Sequence, residues 1–340
     1  LHTKLQRPVQ STETHFSFDL SLLSSYHRTI IFTKERMISM KYTCTIPCFD
    51  LEQTALSGQC FRLMPGKEPG LWFVISQGKL LSIRQNDSQF TFECEEGSLE
   101  YWLSYFDVST DYQAMIDSID PDDTYLLSAA KAGAGIRILR QDPWEMIITF
   151  VISQQKTIPA IRSLVEALCR NYGTHIERTL LASSKLSEAG PSPFAFPTPE
   201  QLSRASLDDL LALKLGYRAK YIHRLCQDAL EGSLNLDLLS SQNYKEAIDY
   251  LTSFYGIGKK VANCVCLFGL HHIDAFPVDT WIQKILMEHY FDEKKYRRIP
   301  KSQLFDRIIE DSFGCYPGYA GVMQQYIFNY ERNVIGKNQT

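Results

Sequence analysis

Apolar and polar positions are spaced in three different ways along the 340 residues. Residues 1–36 are polar, rich in Ser and Thr, and show no period. The chain begins with Leu, and Met37 and Met40 follow, so residues 1–39 are read as an upstream extension or a misplaced start without order of its own. A weakly amphipathic targeting segment is the lesser reading, because acidic residues interrupt it. From Lys41 to about Val108 the runs are short and rich in β-branched or aromatic residues. LWFVIS (71–76), KLLSIRQ (79–85) and QFTFECE (89–95) are parted by Gln77-Gly78 and Asn86-Asp87. That pattern predicts an antiparallel meander, with its mouth near Ser57-Gly58-Gln59-Cys60-Phe61-Arg62.

From about Tyr112 the apolar residues recur at the three-and-four spacing of helices. One helix begins at Asp142 as N-cap with Pro143 in its first position, and another runs from Ile158 to a stop at Gly173. Residues 183–198, rich in Ser and Pro, read as a loop. Thr198-Pro199-Glu200 restarts the helices, and Ser206 to Asp209 has the form of a capping box. A further amphipathic helix closes at Gly232. The expected fold is α+β: an extension at 1–39, a small antiparallel β domain at 40–125, and an all-helical domain at 126–340 of about eight to ten helices. A repeat of about 20–50 residues is absent, which disfavours a solenoid. Neither G-x-x-x-x-G-K-[ST] nor G-x-G-x-x-G occurs, so nucleotide binding is not indicated.

Composition changes this picture little. Apolar residues make up 44% and aromatic residues 12%, as in ordinary globular chains. Runs of roughly 18 apolar residues are absent, so no membrane helix is expected. The formal net charge of −4 does not announce a nucleic-acid binder. A DNA function needs local basic surface, for which Lys259 with Lys260, Arg218 with Lys220 and Arg224, and the basic residues between Lys294 and Lys301 are candidates. Each reads equally well as a solvated face. Nine cysteines, Cys44, Cys48, Cys60, Cys94, Cys169, Cys226, Cys264, Cys266 and Cys315, are scattered and odd in number. They suit a reducing compartment, and a cytoplasmic, monomeric protein is expected. Cys264 and Cys266 alone are poor ligands, so no side-chain metal site is expected.

The richest stretch is residues 250–281, YLTSFYGIGKKVANCVCLFGLHHIDAFPVDTW. An apolar helix end runs into Gly256-Ile257-Gly258, and a second helix follows from Lys259, with the motif spanning about 247–270. The two glycines make a tight hairpin through backbone conformations closed to other residues. The unpartnered amides that open the second helix suit an anion. Asp279, in Pro277-Val278-Asp279, follows Lys260 by nineteen residues. Alone, each piece reads as a turn, a cap and a solvated lysine. Together they resemble the helix-hairpin-helix superfamily of DNA glycosylases.

The resemblance narrows through S-G-Q-C-F-R at 57–62, D-P-W-E at 142–145, L-G-Y-R-A-K-Y at 215–221, G-I-G-K-K-V-A-N-C-V-C-L at 256–267 and A-G-V-M-Q-Q-Y-I-F at 320–328. In this order the chain is similar to the 8-oxoguanine DNA glycosylase/lyases, of bacterial type. The resemblance implies a bifunctional base-excision repair enzyme acting on duplex DNA with oxidised guanine. Lys260 would be the nucleophile, its neutral amine favoured by desolvation and the positive helix end. Asp279 would stabilise the cationic sugar and cap the 280–290 helix. The flipped base would meet the Gly58 carbonyl, be read by Gln324 and stack on Phe328, with Cys264 opposite. Cys264 reads equally as a small core residue. Lys259 and the hairpin glycines Gly256 and Gly258 would face phosphate, with a monovalent cation at the hairpin. Tyr217 is the implied wedge and Arg218 the implied reader of the estranged cytosine.

Two departures stand out. The family's gap-filling Asn is Gln155 here, and a second cytosine-reading arginine is Ala160, which leaves opposite-base selectivity open. Some superfamily members carry a four-cysteine iron–sulfur loop. After Cys266 this chain has only Cys315, so that cofactor is not expected. Two alternatives remain: a glycosylase for alkylated purines, which has no use for Lys260, and a non-catalytic hairpin protein, which has no use for Asp279.

Overall fold

The structure, a computed structural model, describes residues 27–31, 39–176 and 192–332. Six strands, β1 (His27–Ile31), β2 (Ser39–Thr45), β3 (Met64–Pro65), β4 (Leu71–Ser76), β5 (Lys79–Asn86) and β6 (Gln89–Glu95), form one antiparallel sheet in the order β1-β2-β6-β5-β4-β3. The meander β4-β5-β6 lies where the alternating runs put it. Its tight turns carry positive φ at Gln77 and Gly78 and again at Asp87. In β6 every second residue is buried. Phe90, Phe92 and Cys94 pair across to Cys44, Tyr42 and Met40 of β2 and pack on Phe49, Trp102, Tyr105 and Phe106. Strand β4 is buried on both faces, because Leu71, Phe73 and Ile75 form a second small cluster with Leu80. That explains why its sequence is a continuous apolar run.

The sheet differs from the sequence reading at its start. Its first strand, β1, comes from within the stretch set aside as an extension and pairs with β2 in full register. The 41–108 stretch also holds two helices, Leu51–Leu56 and Leu99–Tyr105, both too short to declare themselves by period. Of the loop expected at 183–198, residues 183–191 lie outside those described.

The rest is helical, and α+β is the fold class observed. Its central element is Pro143–Ser153, capped by Asp142 with Pro143 at the start and buried from Trp144 to Ile152. Helices Ile158–Tyr172, Arg218–Leu230 and Lys259–Phe268 pack around it. The capping box at Ser206 and Asp209 is formed as read. Asp279 opens Thr280–Ile285, which runs on as one π turn to Tyr290.

One residue ties the two lobes together. Gln59, fully buried, donates to the Arg137 carbonyl at 2.8 Å and accepts from the Leu139 amide at 2.8 Å. Its own carbonyl accepts from the Gln141 side chain at 2.9 Å. The turn at Ser57-Gly58 is thereby fastened to the strand-like segment that leads into the central helix. Asp107, also fully buried, adds a second tie by accepting from Tyr112, Thr110 and Arg140, with His271 at 3.2 Å.

Candidate active site and nucleic-acid interface

The hairpin is built by helices Tyr244–Thr252 and Lys259–Phe268. Its two glycines do different work. Gly256 has φ +94°, and a Cβ there would run into the Tyr221 ring. Gly258 is extended, at φ −92° and ψ 174°, with nothing within 4 Å of a Cβ. The expectation that both need glycine-only backbone is therefore corrected: only the first does, and the second keeps the approach to the helix-opening amides clear.

Lys260 is half-buried. Its Nζ lies 5.3 Å from the centroid of the Phe150 ring and 3.5 Å from Ser153 Oγ. Phe150 is held in turn by stacking on Phe268 at 5.5 Å. One helical turn on lies the buried Cys264. Burial pushes this thiol up, against the pull of Lys260. Among the described residues no carboxylate forms an ion pair with the Lys260 amine. Asp279 accepts the Ile282 amide at 2.9 Å through Oδ1 and caps its helix as expected.

These residues meet. A cavity of about 60 Å³ is lined by Ser57, Gly58, Phe150, Lys260, Cys264, Phe268, Pro277, Asp279, Gln324, Gln325 and Phe328. All six residues assigned from sequence to catalysis or base recognition are among them, drawn from four separate segments. Gly58 has φ +89°. The Gln325 side chain fixes that turn by donating to the Ser57 carbonyl at 2.8 Å. Gln324 is 4% exposed and donates to the Pro277 carbonyl at 3.3 Å, while its Oε1 has no partner among the described residues. A buried acceptor without a donor is costly unless a ligand supplies one.

Other assigned residues are placed differently. Lys259 turns away from the cavity, its Nζ 2.6 Å from both carboxylate oxygens of Asp306. Arg218, the implied base reader, is only 4% exposed. Its Nε and Nη2 both donate to the Gln154 carbonyl and its Nη1 to that of Leu215, with the guanidinium 4.4 Å from the Tyr217 ring centroid. In this structure Arg218 is therefore a strut, because each of its three guanidinium nitrogens donates to backbone inside the fold. Tyr217 stays exposed, and Gln155 protrudes at φ +52° from the turn that follows the central helix. Ala160 is half-buried and offers no polar group.

Four functional side chains escaped the sequence reading. Phe150 and Ser153 lie on the helix face toward Lys260, a relation that only the helix crossing creates. Gln154 donates its side-chain amide to the Gly256 carbonyl at 3.1 Å and so joins the hairpin to the Gln155 turn and to Arg218. Arg332 stands four residues past Phe328, a spacing from which their contact could have been read. Its Nη2 donates to the Leu56 carbonyl, and its guanidinium lies 5.1 Å from the Phe328 centroid. Among the described residues no cluster of three or more His, Cys, Asp or Glu could hold a metal ion, and all nine cysteines are free.

Residues 41–147 match the N-terminal domain of 8-oxoguanine DNA glycosylase, and residues 148–309 match the HhH-GPD superfamily of base excision DNA repair proteins. An N-glycosylase/DNA lyase of Saccharomyces cerevisiae is 32% identical over 256 residues, 67% of this chain and 65% of its own. One from Arabidopsis thaliana is 33% identical over 200 residues, 57% of this chain and 51% of its own. The chain thus spans between half and two thirds of these curated relatives. The Clostridium acetobutylicum 8-oxoguanine glycosylase/lyase, solved with duplex DNA containing cytosine opposite to 8-oxoG, is 29% identical with a TM-score of 0.74. That match covers 92% of this chain and 98% of the other.

Proposed function

The chain belongs to the HhH-GPD superfamily of base excision DNA repair proteins, and on that premise we propose that it excises 8-oxoguanine from duplex DNA through a lysine Schiff base and then cleaves the strand by β-elimination. The observation that carries this reading is the convergence of Lys260, Asp279, Gly58, Cys264, Gln324 and Phe328 on one cavity.

The steps follow from what those groups can do. The Lys260 amine attacks the sugar C1′ as the bond to the base breaks, and the base leaves with the bonding pair and takes up a proton. Positive charge builds on the sugar at that point, and Asp279 stabilises it and accepts the amine proton. The adduct opens to a Schiff base, whose electron-withdrawing C1′ acidifies C2′. Loss of that proton expels the 3′ phosphate, and hydrolysis of the imine frees Lys260.

Recognition uses the opposite wall. Gln324 Oε1, without a partner among the described residues, would accept N–H groups from the Watson–Crick edge of a flipped guanine. Phe328 supplies the stacking face and Cys264 the other side. The Gly58 carbonyl would accept the N7–H that distinguishes the oxidised base. Outside the pocket, the hairpin amides with a monovalent cation hold a backbone phosphate, while Gln155 and Tyr217 enter the duplex where the base has left. Lys259 joins them only by giving up Asp306, an exposed pair that costs little to open.

A glycosylase for alkylated purines needs no amine at this position, and a hairpin that only binds DNA needs no lined cavity. Borohydride trapping on a duplex containing 8-oxoguanine tests the reading. A covalent complex that disappears in Lys260→Gln is expected. Base release without any trapped complex would refute the lysine mechanism.

A further inference from the structure

Three tyrosine rings stand in a row beside the hairpin. Tyr217 meets Tyr221 edge to face at 5.7 Å, and Tyr221 meets Tyr255 in the same way at 4.8 Å. The middle ring is half-buried and packs against the backbone of Gly256. The outer two stay in solvent, Tyr217 43% and Tyr255 59% exposed. Tyr255 has no part in the reading above. It sits at the tip of the hairpin, directly before Gly256, whose carbonyl accepts from the Gln154 side chain at 3.1 Å. That bond holds the tip beside the Gln155 turn. Lys220 adds charge to the same surface. It follows Tyr217 by three residues at the start of helix Arg218–Leu230 and so shares its face. It is exposed and forms no ion pair among the described residues, whereas Arg224, one turn on, is held by Asp228 at 2.8 Å. Exposed rings interleaved with a free cation suit a nucleic-acid strand, which offers apolar faces between phosphates.

We propose that Tyr255 and Lys220 extend the DNA interface beyond the lesion, as a platform on which the intact flank of the duplex rests. The Tyr255 ring lies against a sugar face, and the Lys220 ammonium meets a phosphate. This rests on the DNA-facing roles proposed above for the hairpin and Tyr217. The Tyr221 ring stands between Tyr255 and Tyr217, so Tyr255 meets base pairs that are still stacked and touches only their backbone. A contact of that kind carries no information about sequence or damage. The platform therefore sets affinity for any duplex and leaves base release to the cavity. Both residues position the DNA, and neither reaches the reacting atoms.

The test measures equilibrium binding to an undamaged duplex and to one carrying 8-oxoguanine, over a series of salt concentrations, in the Lys260→Gln background so that the DNA stays whole. Tyr255→Ala should weaken both duplexes alike, by about tenfold, with its salt dependence unchanged. Tyr255→Phe keeps the ring and should bind as the parent does. Tyr255→Leu covers Tyr221 without a flat face and should repeat the loss, even if the alanine variant folds poorly. Lys220→Gln should weaken both duplexes and lower the slope of log affinity against log salt by about 0.9. With Lys260 restored, single-turnover excision at saturating enzyme should be unchanged in every variant. Parental affinity in both Tyr255→Ala and Tyr255→Leu overturns the inference, as does a loss confined to damaged DNA, which would place the ring at the lesion. An unchanged salt slope in Lys220→Gln overturns the phosphate contact. If the wild-type protein traps nothing on the 8-oxoguanine duplex, the lysine mechanism fails and these affinities still decide the platform. If trapping is intact while the affinities are unmoved, the platform fails alone.

Discussion

The two hairpin glycines allow folding and DNA binding to be separated by single substitutions. Gly256→Ala places a Cβ at φ +94° and against the Tyr221 ring. The backbone strain costs about 1–2 kcal/mol. Displacing Tyr221 adds about 1–3 kcal/mol, because that ring is wedged between Tyr217 and Tyr255 at 5.7 and 4.8 Å. The sum, about 2–5 kcal/mol, is a large share of an ordinary domain's stability. Gly258→Val should behave in the opposite way. Its backbone is extended, which suits valine, and its Cβ meets nothing, so stability should change by less than about 1 kcal/mol. The new side chain instead fills the approach to the amides that open the second helix. Losing a charge-assisted contact to phosphate should weaken binding roughly ten- to hundredfold. Denaturant unfolding and binding to damaged and undamaged duplexes, measured on both variants, decide the matter. Equal destabilisation by the two substitutions would refute the division of roles. Weakening by Gly258→Val confined to damaged DNA would refute the phosphate assignment.

Further outcomes can be checked separately. Lys260→Gln should abolish base release and the borohydride-trapped adduct while DNA is still bound. Lys259→Gln should keep trapping and, because its pair with Asp306 is exposed, change stability by less than about 1 kcal/mol; the reverse result would move the nucleophile by one position. Arg218→Ala should lower stability by about 2–4 kcal/mol, since it leaves the Gln154 carbonyl without its donors, and single-turnover excision opposite the four bases should show only a modest cytosine preference before and after. A strong preference lost on substitution would show that Arg218 swings out to read the base. Burial pushes the Glu145 carboxyl from 4.5 up to about 8. The folded state holds that proton while the unfolded state loses it, so the stability it provides falls as pH rises from about 4.5 to 8 and levels off above. Glu145→Gln should flatten that slope in unfolding measured at pH 5.5 and 8, and an unchanged slope would assign the titration elsewhere.

Local signals were read best where they are strongest. The β4-β5-β6 meander, the Asp142 cap with Pro143, and the Ser206 capping box depend on residues within one turn or one strand of each other. Leu51–Leu56 and Leu99–Tyr105 are shorter than two helical turns and gave no usable period. Six of the eleven residues that line the cavity were named from sequence because motif order brings distant segments into one family pattern. The environment of Lys260 was not legible, since Phe150 and Ser153 reach it only through the crossing of two helices. Arg218 shows the converse limit. A residue type at the right place in a motif says nothing about which way the side chain turns, and here two backbone carbonyls decide that.

The ties made by Gln59 have a consequence for how this protein can diverge. The amine proposed to break the strand, on Lys260, belongs to the helical half, whereas the 56–58 backbone proposed to face the base edge belongs to the smaller lobe, and Gln59 locks one to the other. On the proposed mechanism, substrate choice and bond cleavage are thus inherited on different stretches of the gene. Drift in the turn at Ser57-Gly58 can redirect the enzyme to another lesion while its reaction stays intact, and drift around Phe150 can alter the reaction while the lesion recognised stays the same.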